Sequence, residues 1–378
     1  MDSPNESLFG AQAEETPAAL AAALAPPAAS GHYDELRGGV SAPLAEGHSP
    51  PVTVVGSHAL PTRPWSRFFE NLGSEGFADL NRRTAELHRQ VRDNGVTYNV
   101  YADTGGPQRP WSLDLFPLIV PPAAWQKIEA GVLQRVRLLE GILDDVYGPQ
   151  QLLAKNLLPP ALVQGHPGYL RPLQGAKPAG GRRLHIAAFD LARDPAGAWW
   201  VVSQRTQAPS GLGYLLENRL IISRQFPEAF GDLKVQRLAA TYRALLESLT
   251  SLCPANGEEP RIVLLTPGPY NETYFEHAYL ARYLGLTLVE GSDLTVRDER
   301  LYLKTLKGLE PVHGVLKRLD DEFLDPLELR ADSHLGVPGL LQAIRAGNVL
   351  VANAPGSSRA GHRRGRGKSP RAAGPSAC

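Results

Sequence analysis

Apolar residues recur along the chain with two different periods, and the two periods predict helices and strands. From Phe77 to Val91 the apolar positions keep helical spacing, which predicts a first helix over about residues 76–92. From Trp125 to Val146 a longer apolar stripe predicts an amphipathic helix that ends before a Gly-Pro pair. Both helices are expected to cover a sheet.

Short apolar runs bounded by turn residues predict the strands of that sheet. The predicted strands are residues 96–101, 184–191, 199–204, 261–266, 287–290, 294–297, 301–305, 313–318 and 349–352, with further helices near 233–252, 274–284 and 337–346. Strands that alternate with helices and hairpins predict a mixed α/β fold. Within it, Arg261–Gly291 reads as one strand-loop-helix-strand unit, whose loop Pro267-Gly268-Pro269 lies where such folds place ligands.

Composition divides the chain into three parts. Residues 1–60 are rich in Ala, Pro, Ser and Glu and are predicted to be disordered, whereas residues 61–355 are predicted to fold. Residues 356–378 form a basic tail with six Lys/Arg and no acid, which leaves 33 basic against 39 acidic residues in the rest. Weak polyanion binding by this tail is one functional alternative, but without interleaved aromatic residues specific nucleic-acid binding is not expected.

Cysteine content and hydropathy bear on location. The chain has two cysteines, which argues against a disulfide framework and fits a reducing compartment. No basic residue precedes the alanine run near the N-terminus, and no apolar run approaches the ~18 residues that span a membrane. The sequence therefore predicts a cytoplasmic protein without a membrane segment.

One stretch, Arg205-Thr-Gln-Ala-Pro-Ser-Gly-Leu-Gly-Tyr-Leu-Leu-Glu-Asn-Arg219, combines the residue types that hold a magnesium-nucleotide. Gly211 and Gly213 allow backbone N–H groups to close on phosphate, and the two arginines, Arg205 and Arg219, suit phosphoryl oxygens. The remaining candidates are the metal ligands Glu217 and Asn218, since Mg²⁺ accepts carboxylate and amide oxygens. The alternative is a hairpin turn with charged surface residues.

Further candidates follow the predicted strands. Asn271, Glu276 and His277 lie at a strand end and in the next helix, where they could meet a substrate, although a packed histidine is the commoner explanation of His277. Lys304, on a predicted strand, could reach a nucleotide phosphate or could simply be solvated.

Acidic and basic residues also cluster in Lys317-Arg-Leu-Asp-Asp-Glu322. This run could supply a second metal contact or form a solvated surface. Asp93, Asn94 and Asn99 are equally suggestive, but an Asn-Gly turn explains the first two.

Together these motifs resemble the circularly permuted type 2 ATP-grasp family, whose superfamily also contains the glutathionylspermidine synthetases. The resemblance runs from about Trp65 to Asn353, and it is carried by the 205–219 stretch together with Asn94-Gly-Val-Thr-Tyr-Asn99, Leu264-Leu-Thr-Pro-Gly-Pro269, Tyr274-Phe-Glu-His-Ala-Tyr279 and Asp325-Pro-Leu-Glu-Leu-Arg330. It implies an ATP-grasp fold, ATP and Mg²⁺ as cofactors, and ATP-dependent joining of a small-molecule or peptide carboxylate to an amine through an acyl phosphate.

The resemblance also implies roles for particular residues. Arg205 would stabilise the transferring phosphoryl group, and Glu217 and Asn218 would hold the metal. Lining the cleft would be Arg318, Asp320 and Asp321: the arginine as a nucleotide contact and the two aspartates as metal ligands. Gln204 stands where some relatives carry Asp, so a third carboxylate ligand is either missing or supplied elsewhere.

The resemblance stops at Ala354-Pro-Gly356, whereas family members continue into further sheet and helix. We therefore expect a truncated nucleotide site, with poor solubility or low activity of the chain alone. Two alternatives to the ligase function stay open: a catalytically inactive module that binds a protein partner, and the polyanion-binding tail. The identities of the carboxylate and the amine cannot be read from short motifs.

Overall fold

The computed structural model describes residues 16–40, 55, 59–98 and 111–360, and these fall into two compact units. The first unit is drawn from Met1–Gly131, Ala192–Trp200 and Gly211–Tyr242, and the second from Val132–Leu191, Val201–Ser210 and Arg243–Cys378. Each unit therefore combines segments that are distant in sequence.

Helices occur throughout the described chain. They are α1 (Pro17–Leu24), α2 (Arg63–Ala78), α3 (Leu80–Asp93), α4 (Pro122–Val146), α5 (Gln151–Ala154), α6 (Pro160–Gln164), α7 (Leu212–Gln225), α8 (Pro227–Asp232), α9 (Ala239–Leu252), α10 (Tyr274–Leu284) and α11 (Leu340–Arg345). Several begin with proline in the first turn, where its missing N–H removes no helical hydrogen bond. Among the described residues, the helices are all too short or too polar to cross a lipid bilayer.

The strands form small sheets. They are β1 (Tyr33–Asp34), β2 (Gly39–Val40), β3 (Ala188–Arg193), β4 (Trp199–Arg205), β5 (Ile262–Leu265), β6 (Thr287–Val289), β7 (Leu294–Arg297), β8 (Arg300–Thr305), β9 (Gly308–Val312), β10 (Gly314–Lys317) and β11 (Leu350–Ala352). The pairs β1–β2 and β3–β4 form two-stranded sheets, and β7–β8–β9 form an antiparallel sheet.

A parallel sheet in the order β11–β10–β5–β6 lies at the core of the second unit. In its register, Val315 of β10 is opposite Val263 of β5 on one side and Val351 of β11 on the other. Every residue of β5, β10 and β11 is buried, as expected for parallel strands that are covered on both faces. The carboxyl ends of these strands share one edge of the sheet.

Aromatic side chains form the centre of the first unit. The ring of Phe68 lies edge-on to Trp65 at 5.7 Å and 4.9 Å from the ring of Phe226, while Phe69 stacks on Trp65. An ion pair between Arg67 of α2 and Asp232 of α8 joins two helices of this core. Packing between aromatic rings therefore supplies much of the core of the first unit.

The N-terminal segment differs from the disorder predicted for residues 1–60. Residues 16–40 contain α1 and the β1–β2 hairpin, and the alanines of α1 bury a small apolar face. The buried guanidinium of Arg37 pairs with Asp34 and donates to the carbonyls of Ala22 and Ala25 at the end of α1. These charge-assisted bonds give order that composition alone does not indicate. Residues 1–15, 41–54 and 56–58 lie outside the described residues.

The predicted mixed α/β fold class is confirmed, and α4 confirms the long predicted helix. Three elements differ from their predicted bounds: the helix predicted over 76–92 is the pair α2 and α3, that predicted from 233 begins at Ala239, and the strand predicted over 184–191 is shifted to β3. The sequence pattern does not predict β9 or α7. Of the strand predicted over 96–101, Thr97 forms a bridge, and residues 99–101 lie outside the described part.

Candidate functional site

Polar residues collect where the parallel strands of the second unit end. Thr266 follows β5, Lys317 ends β10 and is followed by Arg318, and Asn353 follows β11. In open α/β sheets, ligands bind outside the carboxyl ends of the strands. We refer to Thr266, Lys317, Arg318, Asp320 and Asn353 as the carboxyl edge.

Arg318 is almost completely buried at this edge. Its Nη1 donates to the carbonyl oxygen of Pro209 at 2.6 Å, and its Nη2 lies 3.3 Å from Oε2 of Glu276, whose side chain is also buried. Its Nε is buried and has no hydrogen-bond partner among the described residues. Burial lowers the pKa of Arg318 while Glu276 opposes that shift, and an arginine remains charged in such a pair.

Two adjacent aspartates, Asp320 and Asp321, differ sharply in environment. Asp321 is buried: its Oδ1 lies 2.5 Å from Nζ of Lys317, and its Oδ2 accepts a hydrogen bond from the backbone N–H of Gly356 at 2.9 Å. Both carboxylate oxygens of Asp321 therefore already have protein partners.

Asp320 is exposed, and its carboxylate makes no hydrogen bond or ion pair with any described residue. Partial desolvation raises the pKa of Asp320, and the carboxylates of Asp321, Glu322 and Glu272 add to the rise, whereas Lys317 opposes it. A carboxylate that lacks a partner and stands among other acids is suited to bind a cation. Of the two aspartates predicted as metal ligands, Asp320 is the one with free oxygens within the described structure.

The three predicted substrate residues lie together beside the carboxyl edge. His277 of α10 is buried, its Nδ1 lies 2.9 Å from Oγ1 of Thr266, and its Nε2 lies 3.1 Å from Oγ1 of Thr273. The Thr273 hydroxyl in turn donates to Oδ1 of Asn271 at 2.7 Å. Since the backbone N–H of Gly268 donates to the Thr266 hydroxyl, one consistent assignment makes His277 neutral, with its proton on Nε2.

His277 is held neutral by its surroundings. Burial and, to a smaller extent, the nearby charge of Arg318 lower its pKa to about 3. This position gives His277 a structural role, because its ring bonds both Thr266 after β5 and Thr273 at the start of α10. A substrate-binding role for Asn271, Glu276 and His277 stays a prediction.

The side chain of Asn353 bonds two separate backbone segments, residues 185–186 and residue 206. Its Oδ1 accepts from the N–H groups of His185 at 2.7 Å and Ile186 at 2.9 Å. Its Nδ2 donates to the carbonyls of Ile186 and Thr206, both at 2.6 Å. All four hydrogen-bonding positions of the buried amide are thus used.

In the first unit, most of the stretch predicted as a glycine loop is helix. Gly211 has φ of 120°, a backbone conformation that favours glycine, and α7 begins directly after it. Gly213 is therefore a buried residue in the first turn of α7. The phosphate-binding roles predicted for Gly211 and Gly213 remain untested.

Glu217 and Asn218, the predicted metal ligands of α7, both have partners within the first unit. Glu217 is buried and accepts a hydrogen bond from Nδ2 of Asn94 at 2.5 Å. Asn218 accepts from the indole N–H of Trp111 at 2.9 Å. Within the described residues, no group of three or more His, Cys, Asp and Glu side chains is placed to hold a metal ion.

The other predicted cations have local partners. Arg205, at the end of β4 in the second unit, forms a two-pronged pair with Asp190 at 2.9 and 3.1 Å and is about half exposed. Arg219 of the first unit donates to the carbonyl of Gln236 at 2.9 Å, and burial lowers its pKa. Lys304, exposed on β8, donates to the carbonyl of Ser292 at 2.8 Å.

Comparison with known proteins decides the family. Residues 117–363, more than half of the chain, match the family described as circularly permuted ATP-grasp type 2. The chain belongs to this family. The resemblance read from the sequence motifs is thereby confirmed.

Curated relatives of this ATP-grasp chain are longer than it is. The uncharacterised protein sll0335 of Synechocystis sp. is 43% identical over 263 residues, which cover 70% of this chain and 55% of that protein. The uncharacterised protein Rv2411c of Mycobacterium tuberculosis is 40% identical over 294 residues, covering 78% and 53%. The chain thus spans about half the length of these curated relatives.

A solved structure also matches the ATP-grasp chain. It is a glutathione synthetase-like effector (GSS30) from Globodera pallida in its apo form, with a TM-score of 0.46 and 14% sequence identity. The match covers 75% of this chain and 63% of that one.

Sequence reasoning missed three residues of the carboxyl edge and its surroundings. Lys317 reads as one member of a charge run, although it ends a fully buried strand. Thr266 and Asn353 each follow an apolar strand directly, and that position is the signal that could have identified them.

Proposed function

We propose that this ATP-grasp chain binds Mg-ATP, activates a carboxylate as an acyl phosphate and transfers the acyl group to an amine, forming an amide or peptide bond. Family membership supports the nucleotide and the reaction class. The substrates proposed are small-molecule or peptide carboxylates and amines. As the chain spans about half of its relatives, this activity is proposed for the protein family and for this chain as the part that carries the carboxyl edge.

The observation that carries the proposal is the combination of charges at the carboxyl edge. Arg318 keeps a buried N–H without a described partner, and Asp320 keeps a carboxylate without one. Guanidinium groups suit phosphoryl and carboxylate oxygens, and Mg²⁺ takes carboxylate oxygens together with those of phosphates. The donor set therefore fits an anionic group together with its metal ion.

Roles follow from these environments. Asp320 would hold Mg²⁺, and Arg318 would stabilise negative charge on the transferring group. Asp321 would hold the edge in shape, because both of its oxygens are already bonded to Lys317 and Gly356. Mg²⁺ supplies neutralisation of phosphate charge when bound.

The remaining residues of the proposal are those that the family resemblance implies. Glu217 and Asn218 would be metal ligands, Arg205 and Arg219 phosphoryl contacts, and Gly211, Gly213 and Lys304 nucleotide contacts. Their hydrogen bonds in the present structure would exchange for contacts to ligand oxygens. A substitution series can test each of them separately.

Isothermal titration with Mg-ATP tests the binding half of the proposal. The native chain should bind, and Asp320→Asn should weaken binding by about tenfold or more, the loss that follows removal of one charged ligand. Asp332→Asn, which removes an exposed carboxylate paired with Arg330, should bind like the native chain. Absence of Mg-ATP binding by the native chain would refute the proposal, and equal binding by Glu217→Gln would remove Glu217 from the metal site.

A hydroxylamine trap tests the chemical half. In the presence of ATP, Mg²⁺ and a panel of amino acids and short peptides, an acyl phosphate gives a hydroxamate and releases ADP. The hydroxamate should require both ATP and the carboxylate. ATP hydrolysis that is independent of every carboxylate offered would count against a ligase.

A further inference from the structure

Three backbone carbonyls in the segment 206–209 are bound by side chains of the carboxyl edge. The carbonyl of Thr206 accepts from Nδ2 of Asn353 at 2.6 Å and from the Ser357 hydroxyl at 2.9 Å. The carbonyl of Gln207 accepts from Nζ of Lys317 at 3.0 Å. The carbonyl of Pro209 accepts from Nη1 of Arg318 at 2.6 Å. We call residues 206–209 the strapped segment.

The strapped segment has no regular secondary structure of its own. It follows β4, and two residues separate it from the start of α7, so neither a strand ladder nor helical bonds fix its carbonyls. The Thr206 hydroxyl adds one more bond, to the carbonyl of Ser357 at 2.6 Å. Side chains from distant positions therefore determine the conformation of this loop.

Lys317 hydrogen-bonds to the strapped segment, and its charged ammonium group is buried there. Its side chain is fully buried, and it divides its donors between the carbonyl of Gln207 and the carboxylate of Asp321. Apolar residues in place of a buried ion pair are often as stable or more stable. Stability alone thus does not explain a lysine here, whereas fixing one backbone conformation does.

Asn353 also fixes the position of the strapped segment through its hydrogen bonds. Its amide bonds the backbone of residues 185 and 186 on one side and Thr206 on the other, with every donor and acceptor used. A fully satisfied buried amide fixes the relative position of the segments it joins. Asn353 therefore fixes the start of the strapped segment to the end of β11.

We infer that Lys317 and Asn353 are positioning residues for nucleotide binding, and that they act by holding the strapped segment in one conformation. The inference rests on the proposed function, which assigns the stretch containing this segment to Mg-ATP. Phosphate contacts are effective when their donors are fixed before the ligand binds. A loosened segment would let the backbone on either side of it move, so affinity would fall without any ligand contact being removed.

Limited trypsin digestion measures how firmly the strapped segment is held in one conformation. The bond between Arg205 and Thr206 lies at the start of the strapped segment, and Lys307–Gly308, in the exposed turn between β8 and β9, is an internal reference. Lys317→Met and Asn353→Asp each remove donors to the segment. Cleavage after Arg205, relative to cleavage after Lys307, should rise about tenfold or more, as expected for loss of a buried hydrogen bond.

Two further variants distinguish loosening of the strapped segment from general misfolding. Lys317→Met/Asp321→Asn removes both charges of the buried pair together, so no carboxylate is left without a partner. Ser333→Ala is the matched control, since Ser333 is a buried serine that donates to the carbonyl of Phe323 elsewhere in the unit. The double variant should behave like Lys317→Met, and Ser333→Ala should behave like the native chain.

Conservative substitutions at Thr206 distinguish positioning from general stability. Thr206→Val removes the hydroxyl that bonds Ser357 and keeps the shape, whereas Thr206→Ser keeps the hydroxyl. Thr206→Val should increase cleavage after Arg205 and weaken Mg-ATP binding. Thr206→Ser should restore both values to those of the native chain.

Mg-ATP titration of the same proteins completes the experiment. If the native chain binds and the loosened variants bind about 10-fold to 100-fold more weakly, the inference is supported. Unchanged cleavage after Arg205, or unchanged affinity despite increased cleavage, overturns the inference and leaves the proposed function intact. Failure of the native chain to bind Mg-ATP overturns the proposed function itself, and the inference falls with it.

Discussion

Arg318 and Glu276 form an ion pair with Nη2 3.3 Å from Oε2, and neither side chain is more than 2% exposed. The pair joins the end of β10 to the first turn of α10, so it connects a strand and a helix of the second unit. Removing one member of such a pair leaves the other charged and buried. Removing one member of this pair should therefore destabilise the fold more than removing one member of a surface pair.

Glu276→Gln should lower the free energy of unfolding by about 3–5 kcal/mol, because Arg318 then keeps its charge without a counter-ion. Urea unfolding at neutral pH measures the change. Glu328→Gln is the control: its partner Arg345 is also held by two short contacts, but the pair is about one-third exposed. That substitution should cost less than about 1 kcal/mol. Equal losses of unfolding free energy in the two variants would show that the buried pair is no more important for stability than the partly exposed one.

His277 should make the fold sensitive to acid. Its pKa is lowered to about 3 in the folded chain, against about 6.5 when unfolded, so between these pH values the unfolded chain binds a proton that the folded chain does not. The stabilising contribution of neutral His277 is fully present above about pH 6.5 and is lost as the pH falls toward 3. The slope is about 1.4 kcal/mol per pH unit for one proton.

Comparison with His277→Gln isolates this effect. The unfolding free energy of the native chain should decline more steeply between pH 6.5 and 4 than that of the variant, by the slope of one proton. His185, whose pKa burial lowers to about 4, contributes with the same sign in both proteins and cancels. Parallel pH profiles would show that His277 is not the group responsible.

Part of the candidate site could be predicted, from the family resemblance and from the order of the predicted strands. Arg318 and Asp320 come directly after an apolar strand, and Glu276 follows another strand by one loop. Parallel pairing of β5 and β10 then brings these positions to one edge of the sheet. For Arg318 and Asp320 the expectation came from the family resemblance, whereas for Glu276 it came from its place after a predicted strand.

Other features depend on contacts between distant residues. Asp320 and Asp321 are indistinguishable in sequence, but the N–H of Gly356, 35 residues away, occupies one oxygen of Asp321. Gly211 and Gly213 obscured the helix α7 in the sequence: Gly211 has a positive φ and precedes the helix, whereas Gly213 is a buried residue in its first turn. Neither fact follows from local composition or periodicity.

Gly336 should not tolerate a side chain. A Cβ there would lie 2.1 Å from the carbonyl oxygen of Phe323 and 2.4 Å from that of Leu324, two backbone atoms that cannot move aside. Gly336→Ala should therefore lower the unfolding free energy by about 3 kcal/mol. Gly141→Ala is the control, because a Cβ at this position of α4 meets no atom within 4 Å and alanine favours a helix by about 0.5–1 kcal/mol. A similar response of both variants to thermal unfolding would be evidence against the close approach.

Asp320→Asn should raise thermal stability at pH 7 while it weakens Mg-ATP binding. The pKa of Asp320 is raised in the fold, so its stabilising contribution is present below the unfolded pKa and is lost as pH rises through the folded value. At pH 7 the ionised carboxylate is therefore unfavourable, and replacing it should increase the melting temperature. At pH 3.5 the increase should disappear, since the native carboxyl is then protonated.

Asp332→Asn is a control of opposite sign, because Arg330 lowers the pKa of Asp332 and its ionised form stabilises the fold. This variant should melt at or slightly below the native temperature at pH 7 and keep its nucleotide affinity. A gain in stability together with a loss of Mg-ATP affinity is the combination that the proposed metal-binding role of Asp320 predicts. If Asp320→Asn neither stabilises the chain nor changes Mg-ATP affinity, Asp320 is an ordinary surface residue and its proposed role as a metal ligand is wrong.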